Sequence, residues 1–291
     1  MNKVLVTGDF GQLGQEFQVL QTQYPDWEFL FPGGRAGLDI TNAAEVDQIF
    51  EHFQPNFCIN CAAYTQVDKA ETEPDLAKAV NADGVLHLAK ACTKHSTQLI
   101  HFSTDYVYGG QQNRPFVETD ATHPTGTYAS TKLQGEQLLL ATLPTAIVIR
   151  TSWVYSSFGH NFVKTMLRLG ATRDQLSVVF DQIGTPTYAR DLAKATLQII
   201  QAKIAGESAS GIFHYSNEGV CSWYDFAQAI FELSGVAITL SPIESKDYPT
   251  PAHRPHFSVL NKAKIKSTFG LTIPHWRTSL ESCLETLKAG S

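Results

Sequence analysis

Short apolar runs alternate with longer stretches of helical periodicity along the first half of the chain. The apolar runs are Val4–Val6, Trp27–Phe31, Phe57–Cys61, Gln98–Phe102 and Ala146–Arg150. The helical stretches are Gln15–Gln23, Asn42–Phe53 with Thr41 as its N-cap, Ala77–Lys94 and Tyr128–Ala141. Strands that alternate with helices predict βαβ units, a parallel sheet and helices on both faces. The predicted fold class is therefore α/β with a doubly wound sheet, and ligands are expected beyond the carboxyl ends of the strands.

The pattern changes after residue 152. Helical pieces at Phe162–Leu169 and Trp223–Ser234 mix with short strands and with proline-rich loops near Pro249 and Pro255. This mixture predicts a smaller C-terminal α+β lobe that packs over the mouth of the sheet. The predicted division is 1–152 for the sheet domain, with a return segment near 184–205, and mainly 153–291 for the second lobe.

Charge and composition exclude some classes of partner. The chain has 291 residues and a formal net charge of −6. Because a nucleic-acid binder usually carries a basic excess or a basic stripe, no nucleic-acid partner is expected. No apolar stretch approaches the ~18 residues of a membrane span, so no membrane partner is expected either. Five cysteines do not resemble a disulfide framework, and no secretory leader is recognisable, so a reduced, cytoplasmic protein is predicted.

Three glycines follow the first predicted strand. Gly8, Gly11 and Gly14 form a Gly-x-x-Gly-x-x-Gly turn between this strand and the first helix. A Cβ in such a turn would hold a pyrophosphate away from the amides at the start of the helix. Taken alone, the glycines would also fit a purely structural turn. In a βαβ context they predict a Rossmann-type dinucleotide site.

The residues behind the second strand bear on the choice of cofactor. An acid at this place would bind the ribose 2′-OH of NAD and repel the 2′-phosphate of NADP. The strand ends at Leu30 and Phe31 without an acid, and Arg35 follows. This favours NADPH, with NADH as the alternative. The other interpretation of Arg35 is a solvated loop charge.

A tyrosine and a lysine share one face of a predicted helix. Tyr128 and Lys132 have the Tyr-x-x-x-Lys spacing, which puts both side chains on the same side. A cation one turn away favours the phenolate and lowers the pKa of the tyrosine. Ser103, Thr104 and Asp105 end the fourth strand, where a substrate should lie. Together these groups predict Thr104, Tyr128 and Lys132 as the catalytic residues.

Longer blocks extend this pattern over nearly the whole chain. They are Asn60–Glu71, Ser103–Tyr108, Tyr128–Glu136, Arg150–Tyr155, Asn161–Met166, Asp181–Thr187 and Tyr248–Pro251. With these blocks the sequence resembles the dTDP-4-dehydrorhamnose reductases, within the extended short-chain dehydrogenases. The last four blocks separate this branch from dehydrogenases in general. The resemblance implies NADPH-dependent reduction of the C4 keto group of dTDP-4-dehydro-β-L-rhamnose to dTDP-L-rhamnose.

The resemblance also implies roles for individual residues. Tyr128 protonates the oxygen that becomes the C4 hydroxyl, Thr104 polarises the carbonyl, and Lys132 holds the nicotinamide ribose. Thr104, Asp105 and Trp153 match positions that contact the sugar. The cofactor positions are Gly8, Phe10, Gly11, Gln12 and Gly14 in the glycine turn, Arg35, the adenine-bordering pair Asp39 and Ile40, and the loop Ala62, Ala63 and Tyr64.

Two further predictions concern the substrate diphosphate and metal binding. Arg254, in the proline-rich loop, is the favoured partner of the diphosphate, because a guanidinium matches phosphate oxygens. Some members of the family carry glutamates that bind magnesium at a dimer interface. Gln15 and Arg190 stand at the matching positions, and neither suits this ion. We therefore predict no metal and favour a monomer, with a weak homodimer as the alternative.

Other functions fit part of the same pattern. Another NDP-4-keto-sugar reductase, or an NDP-sugar 4-epimerase or dehydratase, uses the same Tyr–Lys pair. A dehydratase usually adds an Asp–Glu pair beside the threonine, whereas Asp105 and Tyr106 follow Thr104 here. A non-catalytic regulatory subunit of methionine adenosyltransferase also resembles this family. The intact Thr104, Tyr128 and Lys132 favour the enzyme.

Overall fold

The computed structural model describes residues 1–109 and 112–290. The strands are β1 (Asn2–Thr7), β2 (Trp27–Leu30), β3 (Phe57–Asn60), β4 (Gln98–Thr104), β5 (Ile147–Thr151), β6 (Val154–Tyr155), β7 (Gln175–Val179), β8 (Ile183–Gly184), β9 (Thr187–Tyr188), β10 (Gly211–His214), β11 (Cys221–Ser222) and β12 (Thr239–Ile243). The α-helices are α1 (Gln12–Leu20), α2 (Ala43–Phe53), α3 (Val67–Ala70), α4 (Pro74–Lys78), α5 (Gly84–His95), α6 (Thr127–Thr142), α7 (Phe162–Gly170), α8 (Ala189–Ile204), α9 (Trp223–Ser234), α10 (Ala263–Phe269) and α11 (Trp276–Ala289).

Six parallel strands form the central sheet, in the order β2-β1-β3-β4-β5-β10. The order reverses between β1 and β3, because the chain first adds β2 on one side of β1 and then continues on the other. Such a switch point leaves a crevice beyond the carboxyl ends of the two strands, and ligands bind there in open α/β sheets. The predicted fold class, α/β with a doubly wound parallel sheet, is confirmed.

Alternate residues of each strand pack against opposite layers of helices. Val4 and Val6 join one core with α1 and α8. Leu5, between them, joins a second core with α2, α5 and α6. The strand sequences are near-continuous apolar runs because helices cover both faces of the sheet.

Two local predictions are corrected by the structure. The N-cap of α2 is Asn42 and not Thr41, because the Asn42 side chain accepts hydrogen bonds from Ala44 N and Glu45 N. The helix predicted over 77–94 is interrupted by a π-helical segment, Ala79–Asp83, that joins α4 to α5. A π-helical turn of this kind is frequent at functional sites, and this one presents Asn81 to the loop behind β3.

The second lobe packs α7, α9 and α11 around an aromatic core that contains Phe226 and Trp276. Between α7 and α9 the chain returns to the sheet twice. Helix α8 packs beside α1, and β10 adds the sixth strand next to β5. Strand β10 lies beyond the predicted return segment near 184–205. Within 1–109 and 112–290, no helix combines the length and the apolar character needed to cross a bilayer.

A buried ion pair ties three elements of the sheet domain together. Arg150 Nη2 of β5 lies 2.6 Å from Glu136 Oε2 of α6, and both side chains are almost fully buried. Arg150 Nη1 donates to Tyr108 Oη at 2.6 Å. Tyr108 Oη lies 2.6 Å from Nε2 of His214, in β10. Burial lowers the pKa of His214 to about 3, so this imidazole is neutral.

We expect Arg150→Met to lower the free energy of unfolding by about 3–5 kcal/mol, because Glu136 would keep a buried charge without its partner. Urea denaturation followed by circular dichroism measures this loss. As a control, Lys94→Met removes an exposed cation that lies 3.7 Å from Asp47, and its effect should be small. Equal losses in the two variants would contradict this account of the pair.

Candidate active site

The glycine turn lies against the backbone that follows β3. Gly8 has φ +65°, and a Cβ there would stand 2.4 Å from the amide nitrogen of Ala62. A Cβ at Gly14 would stand 2.5 Å from Gly8 O. Gly11, the N-cap of α1, donates its amide to Gly8 O at 2.9 Å. Glycine is therefore required at Gly8 and Gly14 by backbone contact, and the turn seats the start of α1 at the switch point.

The start of α1 has the properties of an anion site. No side chain caps this end of the helix within the described residues. Its amides and dipole therefore favour a negatively charged ligand group. Phe10 is 67% exposed beside the turn. Gln12 Oε1 accepts a hydrogen bond of 2.9 Å from Asn161 Nδ2, which joins the turn to the second lobe.

The loop behind β3 is held by two asparagines. Asn60 Oδ1 accepts from the amide of Ala62 at 3.1 Å. Asn81 bonds both the amide and the carbonyl of Tyr64, at 2.9 and 3.1 Å. Ala63 is half-buried between them. The backbone of this predicted cofactor loop is thus held at Ala62 and again at Tyr64.

The residues predicted to contact the adenosine lie close together behind β2. Arg35 Nε donates to Asp39 Oδ2 at 2.6 Å. Asp39 also accepts from the amide and the hydroxyl of Thr41. Burial acts to raise the pKa of Asp39, but the hydrogen bonds from Thr41 and Arg35 outweigh it and lower the pKa. Ile40 is buried in the core under α2 and α5.

Thr104 and Asp105 form a buried polar group at the end of β4. Thr104 Oγ1 donates to Asp105 Oδ1 at 3.1 Å and accepts from the amide of Tyr106 at 3.2 Å. Burial raises the pKa of Asp105 to about 7, although the hydroxyls of Ser258 and Thr104 act in the opposite direction. Ser103 Oγ and Asp105 Oδ2 are buried without a hydrogen-bond partner in the described residues. Orphaned polar atoms at the end of a strand fit a site that takes a polar ligand.

Tyr128 stands in the first turn of α6. The Glu71 carboxylate accepts from the amide of Thr127 at 2.7 Å and thereby fixes this end of the helix. Burial raises the pKa of Tyr128 to about 12, while its interaction with the Thr104 hydroxyl lowers it and the Asp105 charge raises it. The direction is opposite to the lowering expected from a cation one turn away, because burial dominates. The phenol is therefore protonated at neutral pH, as the acid of a reduction must be.

Lys132 lies one turn further along α6 and is almost fully buried. Its Nζ donates to the carbonyl of Phe102 at 2.7 Å and lies 3.5 Å from Nε2 of His101. Burial lowers the pKa of Lys132 to about 8, and the Glu136 charge acts in the opposite direction. Asn60 Nδ2 lies 3.0 Å from the other ring nitrogen of His101. The lysine is thus part of a buried polar chain that runs back to the loop behind β3.

Trp153 adopts a left-handed backbone, with φ +48°. The other two non-glycine residues with positive φ in the described residues, Gln54 and Ser96, simply end helices. Trp153 instead stacks on Trp223 of α9, with ring centroids 3.7 Å apart. A Cβ on Gly184 would lie 2.7 Å from its indole. Backbone strain that packing maintains in this way is typical of binding sites.

Arg254 bonds across the two lobes. Its Nη2 donates to Asp68 Oδ2 at 2.7 Å and its Nη1 to Asp68 Oδ1 at 2.9 Å. The guanidinium also lines a cavity of about 760 Å³ in the second lobe. This cavity is walled by Phe162, Met166, Leu169, Ser177, Val179, Trp223, Ile243 and Tyr248, among others. Its walls do not include Thr104 or Tyr128. Trp223 and Arg254, which line the cavity, contact Trp153 and Asp68 respectively.

The residues at the predicted magnesium positions have partners within this chain. Gln15 Nε2 donates to the carbonyl of Phe10 at 2.8 Å. Arg190 Nε donates at 2.8 Å to the buried carboxylate of Glu16. In the part of the chain that the structure describes, no cluster of three or more His, Cys, Asp or Glu side chains could hold a metal ion.

Comparison with known proteins identifies the family. The sequence matches the family described as RmlD substrate binding domain over residues 1–289. The chain belongs to this family. A curated dTDP-4-dehydrorhamnose reductase from Aggregatibacter actinomycetemcomitans is 43% identical to this chain over 290 residues, 97% of this chain and 98% of the relative. The resemblance found in the sequence blocks is confirmed.

Solved structures of RmlD relatives share the whole architecture. The crystal structure of a dTDP-4-dehydrorhamnose reductase from Clostridium acetobutylicum ATCC 824 is 42% identical, with a TM-score of 0.93, and covers 98% of this chain and 99% of that chain. A second, from Bacillus anthracis str. Ames in complex with NADP, is 36% identical with a TM-score of 0.90 and covers 98% and 100% of the two chains. The match includes the second lobe as well as the sheet.

The structure places the predicted site residues of the sheet domain behind β1, β2, β3 and β4 and at the start of α6, and it adds groups that sequence reasoning missed. The missed groups are Asp9, Asp68, Glu71, Asn81, His101 and Trp223, each of which bonds or stacks on a predicted residue or its neighbour. Asp68 and Glu71 lie within the sequence block Asn60–Glu71 and could have been singled out from it. Asn81 and Trp223 sit in helices without a local signal for their contacts.

The raised pKa of Asp105 predicts a pH-dependent stability. Between about 3.9, the usual pKa of an unfolded Asp, and about 7, the folded state binds more protons than the unfolded state. The free energy of unfolding of the wild type should therefore fall as the pH rises through this interval. Asp105→Asn lacks this titration, so its stability relative to wild type should be greater at pH 7.5 than at pH 5.

Urea denaturation at the two pH values measures this difference. Asp75→Asn, which changes an exposed carboxylate on α4, is the matched control and should show no such trend. A difference between Asp105→Asn and wild type that is the same at both pH values would contradict the prediction.

Proposed function

We propose that the protein reduces the C4 keto group of dTDP-4-dehydro-β-L-rhamnose to give dTDP-L-rhamnose, with NADPH as the preferred reductant and NADH as the alternative. The observation that carries this proposal is that Thr104, Tyr128 and Lys132 lie together at the carboxyl end of β4, where the Thr104 hydroxyl interacts with Tyr128 and Lys132 Nζ donates to the carbonyl of Phe102. Membership in the RmlD family and the names of the relatives support the choice of substrate.

The residues around the switch point fit a dinucleotide. We assign the pyrophosphate to the glycine turn and the start of α1, formed by Gly8, Phe10, Gly11, Gln12 and Gly14. We assign the adenosine to Arg35, Asp39 and Ile40, and the centre of the cofactor to Ala62, Ala63 and Tyr64. The uncapped helix start and the glycine cradle support this assignment. NADPH, when bound, supplies the hydride.

The protein's own side chains handle the proton. Tyr128 is protonated at neutral pH and donates its phenolic proton to the oxygen that becomes the C4 hydroxyl. When the substrate binds, the Thr104 hydroxyl turns from Asp105 Oδ1, donates its hydrogen bond to the same oxygen and polarises the carbonyl. Lys132 has its Nζ held by the carbonyl of Phe102, 3.5 Å from Nε2 of His101, and we assign a remaining proton of this ammonium to the nicotinamide ribose.

The second lobe and the residues behind β4 hold the substrate. We assign the sugar ring to Asp105, which directly follows β4, and to Trp153, whose ring is held in place by the Trp223 indole. Arg254 lines the second-lobe cavity and is the proposed partner of the diphosphate. A cavity of about 760 Å³ is large enough for a nucleoside. In this arrangement 1–152 and the return segment near 184–205 carry the cofactor, while 153–291 mainly carry the nucleotide sugar.

We further propose a cytoplasmic monomer. All five cysteines are free thiols, as is usual in reducing compartments. Arg190, where relatives carry a magnesium ligand, is engaged with Glu16 of the same chain. Both observations support the proposal, and a weak homodimer is the alternative that analytical ultracentrifugation would reveal.

Tyr128→Phe tests the reaction and the acid together. With NADPH and dTDP-4-dehydro-β-L-rhamnose, we expect the absorbance at 340 nm to fall as wild type oxidises NADPH. NMR should identify the product as dTDP-L-rhamnose. The variant should lose about 10²–10⁴-fold in kcat, because the phenolic proton is missing, while its Kd for NADPH is unchanged. Tyr24→Phe removes a phenol that packs in the core near the start of β2 and is the control.

Absence of turnover in wild type that still binds NADPH would contradict the substrate assignment and direct attention to an epimerase or another keto-sugar reductase. Full activity in Tyr128→Phe would contradict the role of the acid.

Arg254→Met should weaken binding of the nucleotide sugar. Loss of a charge-assisted hydrogen bond to the diphosphate should raise KM about tenfold or more, with a smaller change in kcat and none in the Kd for NADPH. Arg114→Met is the control, since Arg114 forms a similar paired contact with Asp120. An unchanged KM in Arg254→Met would exclude this residue as the diphosphate partner.

A further inference from the structure

A carboxylate from the glycine turn reaches the end of the neighbouring strand. Asp9 follows Gly8 directly and is 1% exposed. Its Oδ2 accepts from the amide of Gly33 at 2.9 Å, and its Oδ1 accepts from the amide of Gly34 at 2.8 Å. The second strand itself ends without an acid, and the carboxylate that bonds the turn behind it comes from another element.

The two amides that Asp9 occupies form a backbone anion site. Gly33 and Gly34 both have left-handed backbones, with φ +92° and +70°. Successive amides in such a turn point into one concavity, which binds anions. The ring of Phe10 lies against Gly34, where a Cβ would come within 2.7 Å of it. The Gly33–Gly34 turn is therefore held against the glycine turn by the Asp9 carboxylate and by the Phe10 ring.

This concavity lies where the adenosine ribose of a dinucleotide is expected. In doubly wound folds the end of the second strand contacts the ribose 2′ position. Residues 33–34 follow β2 closely, and Arg35 comes next. Arg35 is largely exposed and shares its guanidinium with Asp39. A 2′-phosphate at this place would meet one shared cation and amides that are already bonded to a carboxylate.

We propose that Asp9 is a specificity-determining residue for the 2′ position of the adenosine ribose. Its carboxylate occupies the amide pair that a 2′-phosphate would otherwise use, and its charge opposes that phosphate. Recognition of the 2′-phosphate then depends on Arg35 alone, and Asp9 keeps the preference for NADPH over NADH small. This inference rests on the proposed function, because it requires a nicotinamide dinucleotide at the glycine turn.

The test is a comparison of binding, without sugar substrate. Isothermal titration calorimetry would give the Kd values of NADPH and NADH, and of adenosine 2′,5′-bisphosphate and 5′-AMP as probes of the ribose alone. We expect Asp9→Asn to shift both ratios about five- to tenfold in favour of the 2′-phosphorylated member, because it removes an opposing charge. Asp9→Gly, which also frees both amides, should shift them at least as far.

Two controls separate this effect from a general change of charge. Asp26→Asn removes an exposed carboxylate just before β2, at its other end, and should leave both ratios unchanged. Arg35→Ala should shift them in the opposite direction to Asp9→Asn. Thermal unfolding of each variant identifies a folding defect, and Asp9→Gly then carries the test if Asp9→Asn does not fold.

The outcomes distinguish the inference from the function on which it rests. Unchanged ratios in the folded Asp9 variants, with NADPH bound by wild type, would overturn the role of Asp9 and leave the proposed function intact. Failure of wild type to bind either dinucleotide would overturn both.

Discussion

The contact between the glycine turn and the loop behind β3 is the constraint on which the site depends. Gly8 and Ala62 approach so closely that no side chain fits between them. This contact closes the switch point between β1 and β3 and sets the width of the crevice. Thr104, at the end of the next strand, and Tyr128, at the start of α6, are then placed along one wall. A wider turn would separate the residues proposed to bind the cofactor from Tyr128, the proposed acid.

Features with a local signal could be predicted from the sequence. Helix α9 has the predicted bounds, Trp223–Ser234, because its apolar positions recur with helical spacing. The position of Tyr128 and Lys132 on one face could likewise be predicted, because their i, i+4 spacing requires only that the segment is helical. Strand β10 was missed because it has four residues and its pairing with β5 is not visible locally. The cap of α2 was misplaced by one residue because Thr41 and Asn42 are both good caps, and only geometry separates them.

The partners of the site residues could not be predicted, because they come from distant parts of the chain. Asp9 meets a turn 24 residues away, and Asp68 meets Arg254 at a separation of 186 residues. His101 reaches Lys132 only because β4 and α6 are packed together. The pKa of Tyr128 shows the consequence. Sequence spacing suggests a cation that lowers it, whereas burial, which depends on the whole fold, raises it.

The stacked indoles of Trp153 and Trp223 have a consequence for how this protein can evolve. Trp153 holds a strained backbone, Trp223 supports its ring, and Gly184 leaves the space that the ring fills. A substitution at any one of these positions removes the support of the others. The three positions should therefore covary among relatives as a unit and drift slowly. New specificities for the group held in the second-lobe cavity would then arise through wall positions outside this set, such as Ser241 and Ile243 of β12.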